Sequence, residues 1–214
     1  MAAYTIGLDL GQAQDYSALA VVEHLTALPP GYSRANYAET PHLERIPHGS
    51  ITQHHVRYLK KWPLGTSYPQ VVDETAEILR HPRHRYHANT SFRFDATGVG
   101  RAVKDLFWEK YRAGEMNQNT YRAITITSTI KRNMGDAVVV PLQRGRLKIA
   151  TGLLLGDVLE RELASFRQKV SASGNTTYDT DDKDGHGDLA TALMLAMLYL
   201  QNISDLRLVD HDEQ

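Results

Sequence analysis

The sequence predicts one α/β domain built on a mixed sheet, and three observations carry that prediction. The chain opens on a segment whose apolar residues alternate with the period of a strand. Short apolar strands then alternate with segments of helical period, and the last segment before the C-terminus is an almost wholly apolar helix. No internal repeat and no clean linker divides the 214 residues.

The elements follow in order. Tyr4 to Leu10 places Ile6, Leu8 and Leu10 on alternate positions. Gly11 to Asp15 reads as a turn, and Ser17 to Glu23 reads as a second strand, so the two form a hairpin. Residues 26–50, rich in Pro, Gly, Ser and His, read as an exposed loop or insertion. A third strand is expected over Ile51 to Tyr58, followed by the polar turn K-K-W-P-L-G-T. Tyr68 to Arg80 has helical spacing, with Pro69 suited to a first turn and His81-Pro82 ending it. Phe92 to Phe94 forms a short strand running into Asp95. G-V-G then opens a helix with Val99, Val103, Leu106, Phe107 and Tyr111 on one face and Gly114 as its stop. Arg122 to Thr127 reads as a strand. Val138 to Val140 and Leu147 to Ile149 read as short extended pieces around a turn from Gln143 to Gly145. Leu153 to Phe166 reads as a helix with Leu154, Val158, Leu159 and Phe166 near one face. Residues 171–187 are polar, Asp188 to Leu200 forms the apolar final helix, and residues 201–214 read as a flexible tail.

Composition excludes several classes. Hydrophobic residues make up 42% and charged residues 23%, as in an ordinary globular chain. No run of 18 apolar residues is present to span a membrane, and Met1-Ala2-Ala3-Tyr4 lacks the basic and apolar regions of a secretory signal. The absence of cysteine removes disulfides and thiolate zinc sites and fits an intracellular protein. A net charge of −1 means that any nucleic-acid contact must come from local basic patches. Of the ten histidines, His42, His48, His54, His55, His81 and His84, with His87 nearby, fall mostly in polar, loop-like sequence and read as solvated.

Three carboxylates stand out by position. Asp9 interrupts an apolar strand, Asp95 ends a strand just before a glycine turn, and Asp188 opens the buried final helix. A charge in an apolar strand is costly unless neutralised, and a divalent cation is the usual partner. Oxygen-only ligation favours Mg²⁺ or Mn²⁺ over Zn²⁺. Plainer roles remain open: Asp95 and Asp188 could cap or complement helix N-termini, and Asp9 could face solvent.

Five pieces, in this order, carry a resemblance: G-L-D-L-G-Q-A-Q-D-Y-S-A-L-A-V-V-E, F-D-A-T-G-V-G-R-A-V-K-D-L-F, G-R-L-K-I-A, L-E-R-E-L-A-S-F and G-H-G-D-L-A-T-A-L-M-L-A. Together they resemble the nuclease domain of phage large terminases over nearly the whole chain. The resemblance implies a ribonuclease H-like mixed sheet flanked by helices. It also implies hydrolysis of double-stranded DNA by two Mg²⁺ or Mn²⁺ ions, with Asp9, Asp95 and Asp188 as ligands and Asp9 bridging. His186, two residues before Asp188, is either a peripheral ligand or a solvent-facing side chain. Asp15 recurs in the family pattern, and a turn-forming role explains it equally well. Arg101, Lys104, Lys131, Arg132, Arg144, Arg146 and Lys148 would form a DNA track flanking the site. The implied partners are a terminase ATPase domain or subunit, the small terminase and the portal, with no membrane, in the cytoplasm of an infected or prophage-bearing bacterium.

Two departures qualify the resemblance. Terminase nucleases carry a full helix before the G-R-L-K segment, where only Leu142, Gln143 and Arg144 separate V-V-V-P from Gly145. No G-x-x-x-x-G-K-[ST] loop is present, so the chain is either an excised C-terminal domain or a free-standing nuclease. Three rivals remain: a phosphotransferase of the actin and sugar-kinase group, a Holliday-junction resolvase, and an inactive terminase-like domain that binds DNA or a capsid protein.

Overall fold

The computed structural model describes residues 2–11, 15–27, 50–81, 90–98, 100–116, 121–170, 176–180 and 187–198, without the side chains of 2, 3, 101, 167–170 and 176–180. Most of the 26–50 insertion, the 201–214 tail, Val99, His42, His48, His84, His87 and His186 lie outside the described residues.

Strands β1 (Ala2–Asp9), β2 (Ala18–Ala27), β3 (Ile51–Lys61), β4 (Thr90–Asp95), β5 (Tyr121–Ile124) and β6 (Leu147–Ile149) form one sheet, ordered β5-β4-β1-β2-β3-β6. The pairs β1–β2 and β2–β3 are antiparallel, whereas β1–β4, β4–β5 and β3–β6 are parallel, so the sheet is mixed as expected. Helices α1 (Tyr68–Arg80) and α2 (Gly100–Arg112) cover one face. Helices α3 (Ser128–Gln143), α4 (Gly156–Ala164) and α5 (Asp188–Met197) cover the other, beside a hairpin of β7 (Phe166–Val170) and β8 (Thr176–Thr180). That hairpin falls partly in the segment read as merely polar.

Alternation on β1 divides the core. Ile6, Leu8 and Leu10 join Trp62, Val71, Phe92, Phe94, Val103 and Phe107 under α1 and α2. Phe92, Phe94 and Phe107 interlock there, with ring centroids 5.0–5.8 Å apart. Thr5, Gly7 and Asp9 therefore face α5. Every apolar residue of α5 from Leu189 to Met197 is buried, the all-round burial its composition predicts.

Helix α3 corrects the sequence reading twice. Val138 to Val140, expected to be extended, lie inside this 16-residue helix, and Lys131 and Arg132 lie in its first turns. The helix expected to be missing before Gly145 is therefore present. Three consecutive valines and Pro141 disfavour a helix locally. Burial of Met134, Gly135, Ala137 and Val138, with Ile130 packed beside them, outweighs that preference. Thr127 caps the N-terminus by accepting a hydrogen bond from Ile130 N (3.3 Å), and Gly145 at φ 62° ends the turn that follows.

Helix α4 begins at Gly156 rather than Leu153, because Leu155 adopts the left-handed conformation (φ 66°). Leu154 is consequently 78% exposed rather than on the buried face, and Phe166 starts β7.

Gly7 makes the approach of α5 to β1 possible. A Cβ there would lie 2.0 Å from Ala192 O and 2.5 Å from Ala196 N, both backbone atoms that cannot yield alone. Gly7→Ala should therefore cost ~3 kcal/mol or more by chemical denaturation, a large effect for a single methyl. A loss below ~1 kcal/mol would mean that α5 is not seated as described.

Candidate active site

Strand register places the acidic residues. Leu8 pairs with Phe94, so Asp9 and Asp95 follow side by side. Asp95 pairs with Ile124, Asp9 with Ala18, and Ala18 with Lys61. The row Ile124, Asp95, Asp9, Ala18, Lys61 crosses the sheet at one end, with its side chains on the α5 face. Helix α5 runs over β1 with Ala192 and Ala196 against Gly7, so its first residue, Asp188, reaches the same end.

Asp9 lies at the centre of this group. Loss of hydration raises its carboxyl pKa well above the ordinary value, and the charges of Asp95, Asp188, Asp15 and Glu162 add to the rise. Asp9 is therefore not a carboxylate facing open water. Asp95 is also raised, by desolvation, against hydrogen bonding from Thr97. Its Oδ1 accepts from Thr97 N at 2.7 Å, so Asp95 organises the turn before α2 rather than capping the helix itself. A Cβ on Gly100 would lie 2.2 Å from Asp95 O, which explains the glycine at the head of α2.

Asp188 is not a cap. The N-cap of α5 is Gly187, in the left-handed region at φ 67°, with no side chain to accept from the helix. That role falls to Glu162 of α4, whose Oε2 accepts from Ala190 N at 2.8 Å. Glu162 is buried, and desolvation raises its pKa. Asp188 is 3% exposed, and its Oδ2 lies 2.9 Å from Lys61 Nζ. That contact is an ion pair without hydrogen-bond alignment, and Oδ2 meets no other aligned donor among the described residues. Lys61 Nζ also lies 3.8 Å from Glu162 Oε1 and 4.4 Å from the centre of the Tyr16 ring.

Sequence reasoning singled out Asp9, Asp95 and Asp188, which the fold brings to one end of the sheet, and passed over Lys61 and Glu162 beside them. Alternation inward from Val56 fails to reveal Lys61, because the β2–β3 register shifts between Val21 and Val22. Leu59 and Lys61 do share a face, so alternation from Leu59 is the usable signal. Glu162 carried one as well, standing three residues after the buried Leu159 in an amphipathic helix.

The basic residues divide. The heads of α2 and α3, carrying Arg101, Lys104, Lys131 and Arg132, follow β4 and β5 directly at the carboxylate end. Lys148 pairs with His55 on β3, about 20 Å along the strand from Lys61. It is exposed and faces away from Leu147 and Ile149, which pack into the α5-side core. Arg146 and Arg144 precede it at that remote end, so these three do not flank the carboxylates as expected.

The acidic group suits a hard divalent cation by donor chemistry, being oxygen-only and enclosed. Asp9, with its raised pKa, and the ill-satisfied Asp188 Oδ2 are what such an ion would relieve. Among the described residues no three Asp, Glu or His side chains converge as ligands in the arrangement seen, with Asp188 engaged by Lys61.

Solved structures similar to this chain include viral terminase nucleases. The large terminase nuclease from thermophilic phage G20c with bound magnesium superposes with a TM-score of 0.60 at 20% identity, covering 92% of this chain and 80% of that one. The fold is that of the large terminase nucleases. The HK97 bacteriophage large terminase gives a TM-score of 0.57 at 16% identity, over 93% of this chain and 40% of that one. The manganese-soaked human cytomegalovirus terminase nuclease domain gives 0.55 at 11% identity, over 95% and 86%. No protein-family model and no curated protein matches the chain.

At the opposite end of the α5-facing surface, two histidines read as solvated or unassigned form a buried pair. His24 Nδ1 and His54 Nδ1 are 2.7 Å apart, and His24 Nε2 is 2.6 Å from Thr5 Oγ1. One proton must lie between the two Nδ1 atoms, which suits two neutral rings. Burial lowers the pKa of His24 from 6.5 to about 3, helped by the charges of His54 and Arg93; burial lowers that of His54 to about 4, helped by Arg146 and His55. Because the unfolded rings bind protons more readily, the pair's stabilisation is complete above pH 6.5 and is lost as pH falls towards 4 and 3. Between pH 7 and pH 4 the wild type should lose on the order of a few kcal/mol more than a His24→Gln/His54→Gln variant. Equal losses in urea titrations would show that the pair does not titrate this way.

Proposed function

We propose that this chain is a metal-dependent endonuclease that hydrolyses double-stranded DNA, resembling the terminase nuclease that cuts concatemeric viral DNA during genome packaging. The observation that carries this reading is the meeting of Asp9, Asp95 and Asp188 at one end of the sheet, with the Asp9 carboxyl pKa raised by lost hydration and then by its acidic neighbours. Mg²⁺ or Mn²⁺, as two ions held by these three residues, would supply an activated water and neutralise charge on a phosphodiester. The central position of Asp9 suits a shared ligand. Thr97 N holds Asp95 in its turn, and Glu162 steadies the first turn of α5 and with it Asp188. Lys104, Lys131 and Arg132, with Arg101, would take DNA phosphates beside the cut. With no base-reading motif, sequence preference should be slight. His186, outside the described residues, is proposed as a peripheral ligand. An ATPase domain or subunit, the small terminase and the portal are the proposed partners, in the cytoplasm of an infected or prophage-bearing bacterium. No described helix is long and apolar enough to cross a membrane.

Supercoiled plasmid incubated with the protein and Mn²⁺ should be nicked and linearised, and chelator should stop the reaction. Asp9→Asn should lower the rate at least ~100-fold. It should also raise the metal-free melting temperature by roughly 2–4 °C, since a crowded, half-buried acid is removed. Intact plasmid at enzyme excess across Mn²⁺ concentrations, or an Asp9→Asn protein cutting near the wild-type rate, would sink the proposal.

His186→Ala should reduce cutting more with Mn²⁺ than with Mg²⁺, because imidazole suits Mn²⁺ better. The loss should remain well short of that in Asp188→Asn. Unchanged rates with both ions would assign His186 to solvent, and complete loss with both would make it a primary catalytic group.

A further inference from the structure

Lys61 contributes nothing to core packing, yet it points inward from the last residue of β3 into the acidic group. Its ammonium is 2.9 Å from Asp188 Oδ2 and 3.8 Å from Glu162 Oε1. Its side chain is 23% exposed, against 4% for Asp188 and 7% for Glu162, so the cation reaches down from the rim onto two buried acids. The preceding residue, Lys60, is paired on the other face with Glu74, which also accepts from Trp62 Nε1 at 2.8 Å. Adjacent lysines thus serve opposite faces, and Lys61 is the one delivered to the carboxylate row.

We infer that Lys61 is the resident counter-cation of this acidic group and is exchanged for the divalent ion, so that it sets the affinity and threshold of metal binding. The inference rests on the nuclease reading above. A buried carboxylate needs a positive partner or must take up a proton, and the Lys61 ammonium supplies that partner to Asp188. The same oxygen is the one a divalent ion would take. An ammonium within bonding distance of a ligand oxygen repels an incoming cation and must withdraw before that oxygen can coordinate. The Tyr16 ring, 4.4 Å from Nζ at the mouth of the group, gives the displaced ammonium a cation-binding surface to move towards. Glu162 remains behind on Ala190 N, so the first turn of α5 keeps its cap during the exchange.

The test is calorimetric titration of the full chain with Mn²⁺ alone, together with melting temperatures in chelator and in Mn²⁺. Lys61→Met should bind Mn²⁺ roughly tenfold more tightly than the wild type. It should also melt lower in chelator and gain more from the ion. Lys61→Gln, which keeps a polar side chain if Lys61→Met fails to fold, should shift affinity in the same direction. Lys61→Arg, which keeps the charge, should stay near the wild-type affinity. Tight binding by the charge-removed variants with no measurable binding by the wild type would also support the exchange. If the wild type binds Mn²⁺ and the charge-removed variants bind it equally or more weakly, the exchange is wrong and the nuclease reading stands. If none of these proteins binds Mn²⁺, both fall together.

Discussion

Close packing of α5 on β1 is the contact on which the rest of the structure depends. Gly7 has no side chain, so the helix backbone at Ala192 and Ala196 can rest directly on the strand. That approach buries both sides of an apolar helix and closes the α5-side core. It also sets how far along the strand the helix begins, which brings Asp188 level with Asp9 and Asp95. A helix lifted by a single methyl group would lose core packing and acidic geometry together. The fold and the candidate site therefore share one steric constraint.

Charge at that end is concentrated in a way ordinary folding disfavours. Several carboxylates meet where hydration is reduced, and the protein answers with local devices rather than with a basic surface. Thr97 N satisfies one oxygen of Asp95 and Ala190 N one oxygen of Glu162, while Lys61 pairs by charge with Asp188 Oδ2 without hydrogen-bonding it. At Asp9 the charges of Asp95, Asp188, Asp15 and Glu162 all add to the effect of lost hydration. An arrangement that leaves its central carboxyl so raised is poised for a cation, in keeping with strain concentrated where chemistry occurs.

The same sheet face handles polar burial differently at its far end. There Thr5, His24 and His54 satisfy one another as neutral groups, which gives stability near neutral pH without any ion. Acids at one end and a neutral imidazole pair at the other separate a site built to gain charge from one built to avoid it.

Sequence alone was enough for the mixed α/β class, the opening hairpin, α1, the apolar final helix and the three aspartates. In each case a local signal agrees with the tertiary outcome: alternation on β1, the Pro69 start of α1, and a carboxylate where apolar residues belong. The tertiary structure decided the rest, because there the local signal and the long-range packing disagree. Val138–Val140 and Pro141 prefer extended or broken backbone, but burial of one face holds them in α3. His54 lies in polar sequence, but cross-strand pairing with His24 buries it. The remote position of Arg144, Arg146 and Lys148 follows from β6 pairing with the far half of β3, which no spacing in the sequence announces. Glu162 and Lys61 acquire their roles only when α4 and the end of β3 meet the first turn of α5, since a cap or a counter-charge supplied across space has no sequence period.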